Sequence, residues 1–214
     1  MACDRLIEAL AASARQRGAH LFPGVEVRSV ERRGNRIDRV RVDDAVVSPG
    51  AVVLAAGAWS GRIPGITPAP PVMPVRGHML ALRPPPGAVS RVLFDGDGCL
   101  TPRRCGEVLV GGTVEDAGFE KAVTPAGIRR LLDDVERIAP AGLGWPLIRA
   151  WAGLRPGTPG DGPLIGRHAE LENLVVATGH HRNGILLAPV TADTVVALLE
   201  GAAVPREAAP FGAG

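Results

Sequence analysis

The sequence has no long apolar run, few cysteines and little net charge, and each shortage excludes a class of protein. The longest apolar stretches, 51–58 and 185–190, fall well short of the roughly 20 residues that a membrane-spanning helix needs, so no span is expected. Cys3, Cys99 and Cys105 are odd in number and lack CxxC spacing, so neither a disulfide framework nor a zinc or other metal site is expected. A net charge of +2, with scattered basic residues, predicts no nucleic-acid partner.

Tyrosine is also absent, and lysine occurs once, at Lys121. The first eight residues, MACDRLIE, are acidic where a secretory signal would place a basic region and then an apolar one. We therefore expect a cytoplasmic protein. The 214 residues, 46% of them hydrophobic, are enough for one large or two small domains with a buried core.

Hydrophobic periodicity predicts a helix and several strands in the first part of the chain. Residues 4–17 carry apolar side chains at three- and four-residue spacing, which is typical of a helix. Two alternating runs, 25–30 and 37–42, flank a Gly-Asn turn and predict a β-hairpin, which 45–48 extends. The apolar run 51–57 ends in small residues and predicts a buried strand covered on both faces.

The Pro- and Gly-rich segment 64–74 predicts a crossing into a second domain. Beyond it, short runs separated by turn residues predict an antiparallel sheet from strands 75–82, 89–94, 99–102 and 108–113. Thr124 and Pro125 then open a predicted helix that continues to about Ile138. After a strand over 147–154, a second buried strand at 173–179 leads into a helix over 183–199, a pattern typical of nucleotide-binding sheets.

A phosphate-binding G-x-G-x-x-G turn is missing from this sequence. Residues 160–166 come nearest, but their third glycine is one residue late and Pro163 would lie inside the turn. We therefore interpret 160–166 as a loop.

Five segments carry a family resemblance, and they occur in the family's order: 53–60 (VLAAGAWS), 74–80 (PVRGHML), 102–103 (PR) with 110–116 (VGGTVED), 151–158 (WAGLRPGT) and 179–189 (GHHRNGILLAP). Together they resemble the D-amino-acid-oxidase-like FAD-dependent oxidoreductases, and among these most of all the glycine oxidases of the thiamine pathway. The resemblance extends from the first helix to about Pro210. Such enzymes open with a G-x-G-x-x-G unit, so this sequence resembles their C-terminal part.

The resemblance implies an α/β (α+β) fold. It would combine the C-terminal part of a Rossmann-like FAD-binding domain with an antiparallel-sheet substrate domain. We expect residues 1–69 and 155–214 to belong to the partial FAD-binding domain and residues 70–154 to form the substrate domain.

Three residues are expected to act on the substrate. The planar guanidinium fork suits the carboxylate of an amino acid, and the resemblance places both Arg155 and Arg182 near the substrate. The alternative is that Arg155 forms an ion pair with an acidic residue that only supports the fold, and that Arg182 is merely a solvated residue of a turn. Cys99 stands where glycine oxidases typically have a tyrosine whose hydroxyl helps to hold the substrate. A weak thiol donor replaces a phenol there, which leaves activity on glycine open.

The resemblance also places FAD against several short segments. Small residues at 55–57 would let the cofactor approach the backbone, and the helix start at 179–186 would favour negative charge on the reduced flavin. Tight packing and an ordinary strand-to-helix turn are the alternatives. The residues expected to contact FAD are Val27, Ala55, Ala56, Gly57, Trp59, Gly179, His180, Arg182, Asn183, Gly184, Ile185 and Leu186.

Other polar residues are not expected to bind a metal or to act as nucleophiles. His78 lies in a predicted strand and is expected to be structural, and the adjacent His180 and His181 do not have metal-ligand spacing. Ser60 lacks the G-x-S-x-G context of a hydrolase nucleophile. The acids that could be mistaken for a metal cluster are expected to be solvated loop residues: Asp95, Asp97, Glu115 and Asp116.

The implied reaction is oxidative deamination of glycine or another small amino acid. A neutral amine would deliver hydride from Cα to FAD, the imine would hydrolyse to a keto acid and ammonia, and molecular oxygen would leave as hydrogen peroxide. One alternative is a D-amino-acid dehydrogenase-like flavoprotein that passes electrons to a partner. Another is a non-catalytic truncated fragment, or a subunit that needs a separate N-terminal FAD-binding half; a homo-oligomer is a further alternative.

Overall fold

The computed structural model describes residues 3–160 and 162–212, which divide into two compact units. Unit 1 consists of Met1–Met73 and Pro156–Gly214, and unit 2 is the continuous segment Pro74–Arg155. The domain boundaries predicted from the sequence are 69/70 and 154/155. The helices are α1 (Cys3–Gln16), α2 (Pro125–Ile138) and α3 (Gly184–Glu200), with shorter 3₁₀ helices at Gly57–Arg62, Pro140–Gly144 and Arg206–Phe211.

Within residues 3–160 and 162–212, eleven strands form three sheets. In chain order they are β1 (Val27–Arg33), β2 (Arg36–Val42), β3 (Ala45–Val47), β4 (Val52–Leu54), β5 (Met73–Leu82), β6 (Leu93–Asp95), β7 (Gly98–Pro102), β8 (Val108–Gly111), β9 (Leu147–Gly157), β10 (Leu164–Arg167) and β11 (Leu174–Thr178).

Unit 1 contains two three-stranded sheets. The predicted hairpin is confirmed, since β1 pairs antiparallel with β2 and β3 continues the sheet beside β2. The second sheet has the order β10-β11-β4, in which β11 runs parallel to β4. Asn173 connects the two sheets, because its buried amide accepts the Ile37 N–H at 2.8 Å and donates to the Ile37 carbonyl at 2.9 Å. Apolar side chains from both sheets share one core: Val30, Ile37, Leu54, Ile66, Leu171 and Leu174.

Two predictions for unit 1 are wrong in part. The apolar run 51–57 forms a strand only over β4, an edge strand among the described residues, and Val53 on it is 40% exposed. A continuous apolar run fits a doubly covered strand, but it does not reveal which neighbours the strand will have. Residues 160–166 are not simply a loop either, because β10 begins at Leu164 and pairs antiparallel with β11.

Unit 2 is a five-stranded sheet of order β6-β7-β8-β5-β9 with α2 packed on one face. The predicted helix start is confirmed, since the Thr124 hydroxyl accepts the Gly127 N–H at 3.1 Å and Pro125 occupies the first turn. The expected strand 89–94 shortens to β6. The core between sheet and helix consists of Leu80, Leu82, Leu100, Val108, Val110, Leu131 and Val135.

Two glycines and a cysteine lie on the opposite face of this sheet, beside Met79. Successive residues of a strand point to opposite faces, so the residues that alternate with the core positions point away from α2. Cys99 pairs in register with Gly111, and Gly111 pairs with Met79 on the next strand. We call the surface formed by Gly77, Met79, Cys99 and Gly111 the open face.

Candidate functional site

Arg155 and Cys99, two of the three residues predicted to act on the substrate, lie in unit 2. Arg155 is half-buried near the end of β9, and its Nη1 donates to the Thr113 carbonyl at 2.8 Å. Cys99 belongs to the open face, where its Sγ lies 3.3 Å from the Thr101 hydroxyl. A guanidinium has five N–H donors in a fixed fork, so it can hold a carbonyl and a carboxylate at once. The open face therefore carries a guanidinium and a weak thiol donor.

A buried polar network, which sequence analysis missed, lies next to Arg155. Glu115 is bound by Arg76 at 2.8 Å and by His78 Nδ1 at 2.9 Å, and its side chain is only 18% exposed. The interpretation of Glu115 as a solvated loop acid is wrong. His78 is fully buried, as expected of a structural histidine, and its Nε2 accepts the Thr124 N–H at 3.1 Å. The network thus joins β5 to the start of α2.

The charge state of Glu115 follows from these contacts. Burial alone would raise its pKa, but hydrogen bonds from Thr113, Arg76 and His78 lower the pKa from 4.5 to about 2. The sequence contains one signal for this network: Arg76 and His78 are two positions apart on β5, so their side chains point to the same face. This spacing does not predict the network, because it does not reveal which acidic residue lies opposite the two side chains.

We expect Glu115→Gln to lower the free energy of unfolding by about 2 kcal/mol at pH 7, because it removes the charge from a buried hydrogen-bonded group. Since the folded-state pKa is depressed, this stabilisation is present above pH 4.5 and is lost as the pH falls towards 2. Urea unfolding at pH 7 and near pH 3 would measure both effects. Glu136→Gln, on the exposed side of α2, is the matched control; equal stabilities of wild type and Glu115→Gln at pH 7 would contradict the assignment.

In unit 1, four of the predicted cofactor residues line one groove of about 1050 Å³: Val27, Ala55, Ala56 and Trp59. Gly57 follows with a positive φ of 54°, and its carbonyl accepts the Thr178 hydroxyl at 3.1 Å. Thr178 also accepts the Ser60 hydroxyl at 2.8 Å. These bonds fix the carboxyl ends of β4 and β11 beside each other.

The remaining predicted cofactor residues follow β11. Gly179 has a φ of 79°, a conformation that favours glycine, and it turns the chain towards α3. The His180 Nε2 lies 2.9 Å from the Thr191 hydroxyl, and burial lowers the pKa of this imidazole. Arg182 is exposed, as are the first residues of α3, with Leu186 at 76%. The first N–H groups of a helix have no partner within the helix and attract negative charge.

Within the described ranges, no three His, Cys, Asp or Glu side chains come close enough together to hold a metal ion. None of the described helices is both long and apolar enough to cross a membrane.

The parallel pair β4–β11 ends in small residues and a glycine turn, at the edge where α/β sheets bind their ligands. Together with an antiparallel sheet that holds an arginine, it defines the class: a mixed α/β protein with the fold of FAD-dependent oxidoreductases. The chain belongs to the FAD-dependent oxidoreductase (DAO) family, whose model matches residues 1–198.

Individual relatives are similar to this chain over most of its length. The bifunctional protein ThiO/ThiG of Synechocystis sp. is 38% identical over 200 residues, which cover 91% of this chain and 30% of that protein. Glycine oxidase of Pseudomonas aeruginosa is 33% identical over 211 residues, or 97% of this chain and 57% of that protein. The crystal structure of glycine oxidase from Geobacillus kaustophilus matches with a TM-score of 0.90 at 30% identity, covering 97% of this chain and 56% of that one. The chain therefore spans between 30% and 57% of the length of these relatives.

Proposed function

We propose that this chain is the substrate-binding and C-terminal cofactor-binding part of an FAD-dependent oxidase that deaminates glycine or another small amino acid. Its products would be an imine or keto acid, ammonia and hydrogen peroxide, with molecular oxygen as the electron acceptor. Action in the cytoplasm, within thiamine biosynthesis, belongs to the same proposal. The support comes from the family membership, the glycine oxidase relatives and the arginine on unit 2.

The observation that carries the proposal is the placement of Arg155. Its guanidinium is held by the Thr113 carbonyl on the open face, which also carries Cys99. A carboxylate is the natural ligand of a guanidinium fork. We propose that Arg155 binds the substrate carboxylate. Cys99 would be a weak donor on the same face, and a role of Arg182 near the substrate stays a prediction.

The residues of unit 1 fit part of an FAD molecule. The groove beside Ala55 and Ala56 is large enough for a nucleotide, and its small side chains allow close approach to the backbone. The exposed N–H groups at the start of α3 suit the electron-rich side of a flavin ring. When bound, FAD would supply the two-electron chemistry that amino acid side chains cannot provide. Residues 27, 55–57, 59 and 179–186 would hold it.

The pyrophosphate is the part of FAD for which this sequence has no G-x-G-x-x-G turn. No strand of the described ranges pairs with the outer edge of β4, and parallel sheets are ordinarily larger and covered on both faces. We propose that a separate nucleotide-binding segment completes the sheet at this edge; the glycine oxidase of Pseudomonas aeruginosa is longer than this chain, which covers 57% of it.

The function would be tested on protein loaded with FAD by co-expression with the N-terminal half of the Geobacillus kaustophilus glycine oxidase. We expect glycine or another small amino acid to reduce the flavin and to consume oxygen, with peroxide and ammonia formed in equal amounts. Dye reduction under nitrogen, compared with oxygen consumption in air, would separate an oxidase from a dehydrogenase. If no small amino acid bleaches the flavin absorbance of the loaded protein, the proposal is wrong.

A further inference from the structure

We propose that Gly77 and Gly112 are positioning residues, which keep open a slot across the sheet in which the guanidinium of Arg155 lies flat. Neither glycine has a positive φ, so a left-handed conformation is not the reason for glycine at either position. The reason for glycine at both positions is instead the space that each leaves. The functional consequence rests on the proposed role of Arg155 in carboxylate binding.

The first wall of the slot is Gly77 on β5. A Cβ atom placed at Gly77 would overlap the Cζ and both terminal nitrogens of Arg155, and those are the nearest atoms that it would meet. In the sheet order β8-β5-β9, β5 lies between the strand that carries Arg155 and the strand that leads to its hydrogen-bond acceptor. The side chain of Arg155 therefore has to cross β5, and only a residue without a side chain at position 77 leaves the crossing open.

The far end of the slot is formed by the residues that follow β8. A Cβ atom at Gly112 would lie 2.6 Å from Arg155 Nη2, again closer than real contacts allow. The next residue, Thr113, supplies the carbonyl that accepts from Arg155 Nη1 at 2.8 Å. Thr113 is fixed in turn, because its hydroxyl accepts the backbone N–H of His78 at 2.9 Å. The guanidinium is thus bounded by two glycines and anchored to a residue that is itself hydrogen-bonded to β5.

The slot separates the effect of a substitution on stability from its effect on function. The atoms that the methyl group added by Gly77→Ala would meet are the far end of a flexible side chain, so Arg155 can swing away while the sheet keeps its packing. A displacement of about 1 Å in a positioning group can reduce a rate about 100-fold. Gly77→Ala should therefore leave the fold intact and move the carboxylate-binding group.

The direct test needs neither cofactor nor substrate. The arginine Nε–Hε signals of the ¹⁵N-labelled chain would be recorded for wild type, Gly77→Ala and the control Gly144→Ala, whose added Cβ would meet nothing within 4 Å. Loss of one signal in Arg155→Ala would assign Arg155. We expect the Arg155 signal to shift and its exchange with water to speed up severalfold in Gly77→Ala, with no change in Gly144→Ala. An unmoved Arg155 signal in Gly77→Ala would overturn the inference.

A double-mutant cycle covers the case in which Gly77→Ala folds poorly. If the added methyl group acts only through Arg155, Gly77→Ala lowers the melting temperature in the wild-type background and has no such effect in an Arg155→Ala background. An equal loss in both backgrounds would overturn the inference.

Kinetics of the FAD-loaded protein distinguish this inference from the proposed function. We expect Gly77→Ala to raise KM for glycine at least tenfold and to change kcat less, because carboxylate binding is what it disturbs. If the Arg155 signal moves while KM stays constant, the slot stands and the role of Arg155 in carboxylate binding fails.

Discussion

Arg155→Lys is expected to lower kcat/KM for the amino acid substrate by about 100-fold in the FAD-loaded protein. Lysine keeps the charge but loses the planar fork, so two parallel hydrogen bonds to a carboxylate become one. A hydrogen bond to a charged group contributes about 1.5–3 kcal/mol, and each 1.4 kcal/mol corresponds to a factor of ten. The contact with the Thr113 carbonyl would also be disturbed, since it depends on the terminal Nη1. Initial rates of oxygen consumption over a range of substrate concentrations would measure the loss.

Arg149→Lys is the matched control for this substitution. Arg149 lies on the same strand, but its side chain is exposed; it pairs with Glu107 at 3.0 Å and lies over the ring of Trp151. Exposed ion pairs contribute little, so kcat/KM should stay within about twofold of wild type. Equal losses for the two arginines would show that Arg155 has no special role in binding the substrate.

The 214-residue chain purified alone is expected to lack flavin, whereas co-expression with a G-x-G-x-x-G-containing half of a relative should give a yellow complex. The reason is that the sequence has no G-x-G-x-x-G turn for the pyrophosphate, while the groove beside Ala55 and Ala56 provides only part of the contact surface. Visible absorbance after gel filtration, compared with protein absorbance, would measure the occupancy.

The control substitution for flavin binding lies in the groove itself. Ala55 is exposed, so Ala55→Asp should leave the two halves paired while adding charge and bulk where the cofactor would approach the backbone. The complex should then elute at the same volume without colour. A yellow preparation of the chain alone would contradict the expectation, and so would full occupancy in Ala55→Asp.

Features with a local physical signal could be predicted from the sequence. The hairpin β1–β2 follows from alternating apolar residues around Gly34 and Asn35, and α2 begins where a Thr-Pro pair provides a cap and a fixed φ. Both depend on residues within a few positions of one another. The family motifs also predicted the fold class, because several of them occur along the chain in the order typical of the family.

Features that depend on strand order could not be predicted. Arg76 and Glu115 are 39 positions apart, and their pairing requires β5 to lie beside the segment that follows β8. The slot for Arg155 likewise exists only because β5 separates β8 from β9, a non-sequential order that no local pattern encodes. Val53 shows the same limit, since whether it is covered depends on a neighbouring strand rather than on its own sequence.

Unit 2 is one continuous segment, and it begins at β5 and ends at β9, which are neighbours in its sheet. The Arg83 N–H donates to the Pro146 carbonyl at 2.9 Å, at the far end of the same strand pair, so the two strands run in opposite directions. The entry and exit of the segment are therefore close together, which is the arrangement that makes insertion and excision of a whole module tolerable. Unit 2 should consequently be exchangeable between relatives as a single cassette joined at two adjacent points, and under the proposed function such an exchange would transfer substrate preference.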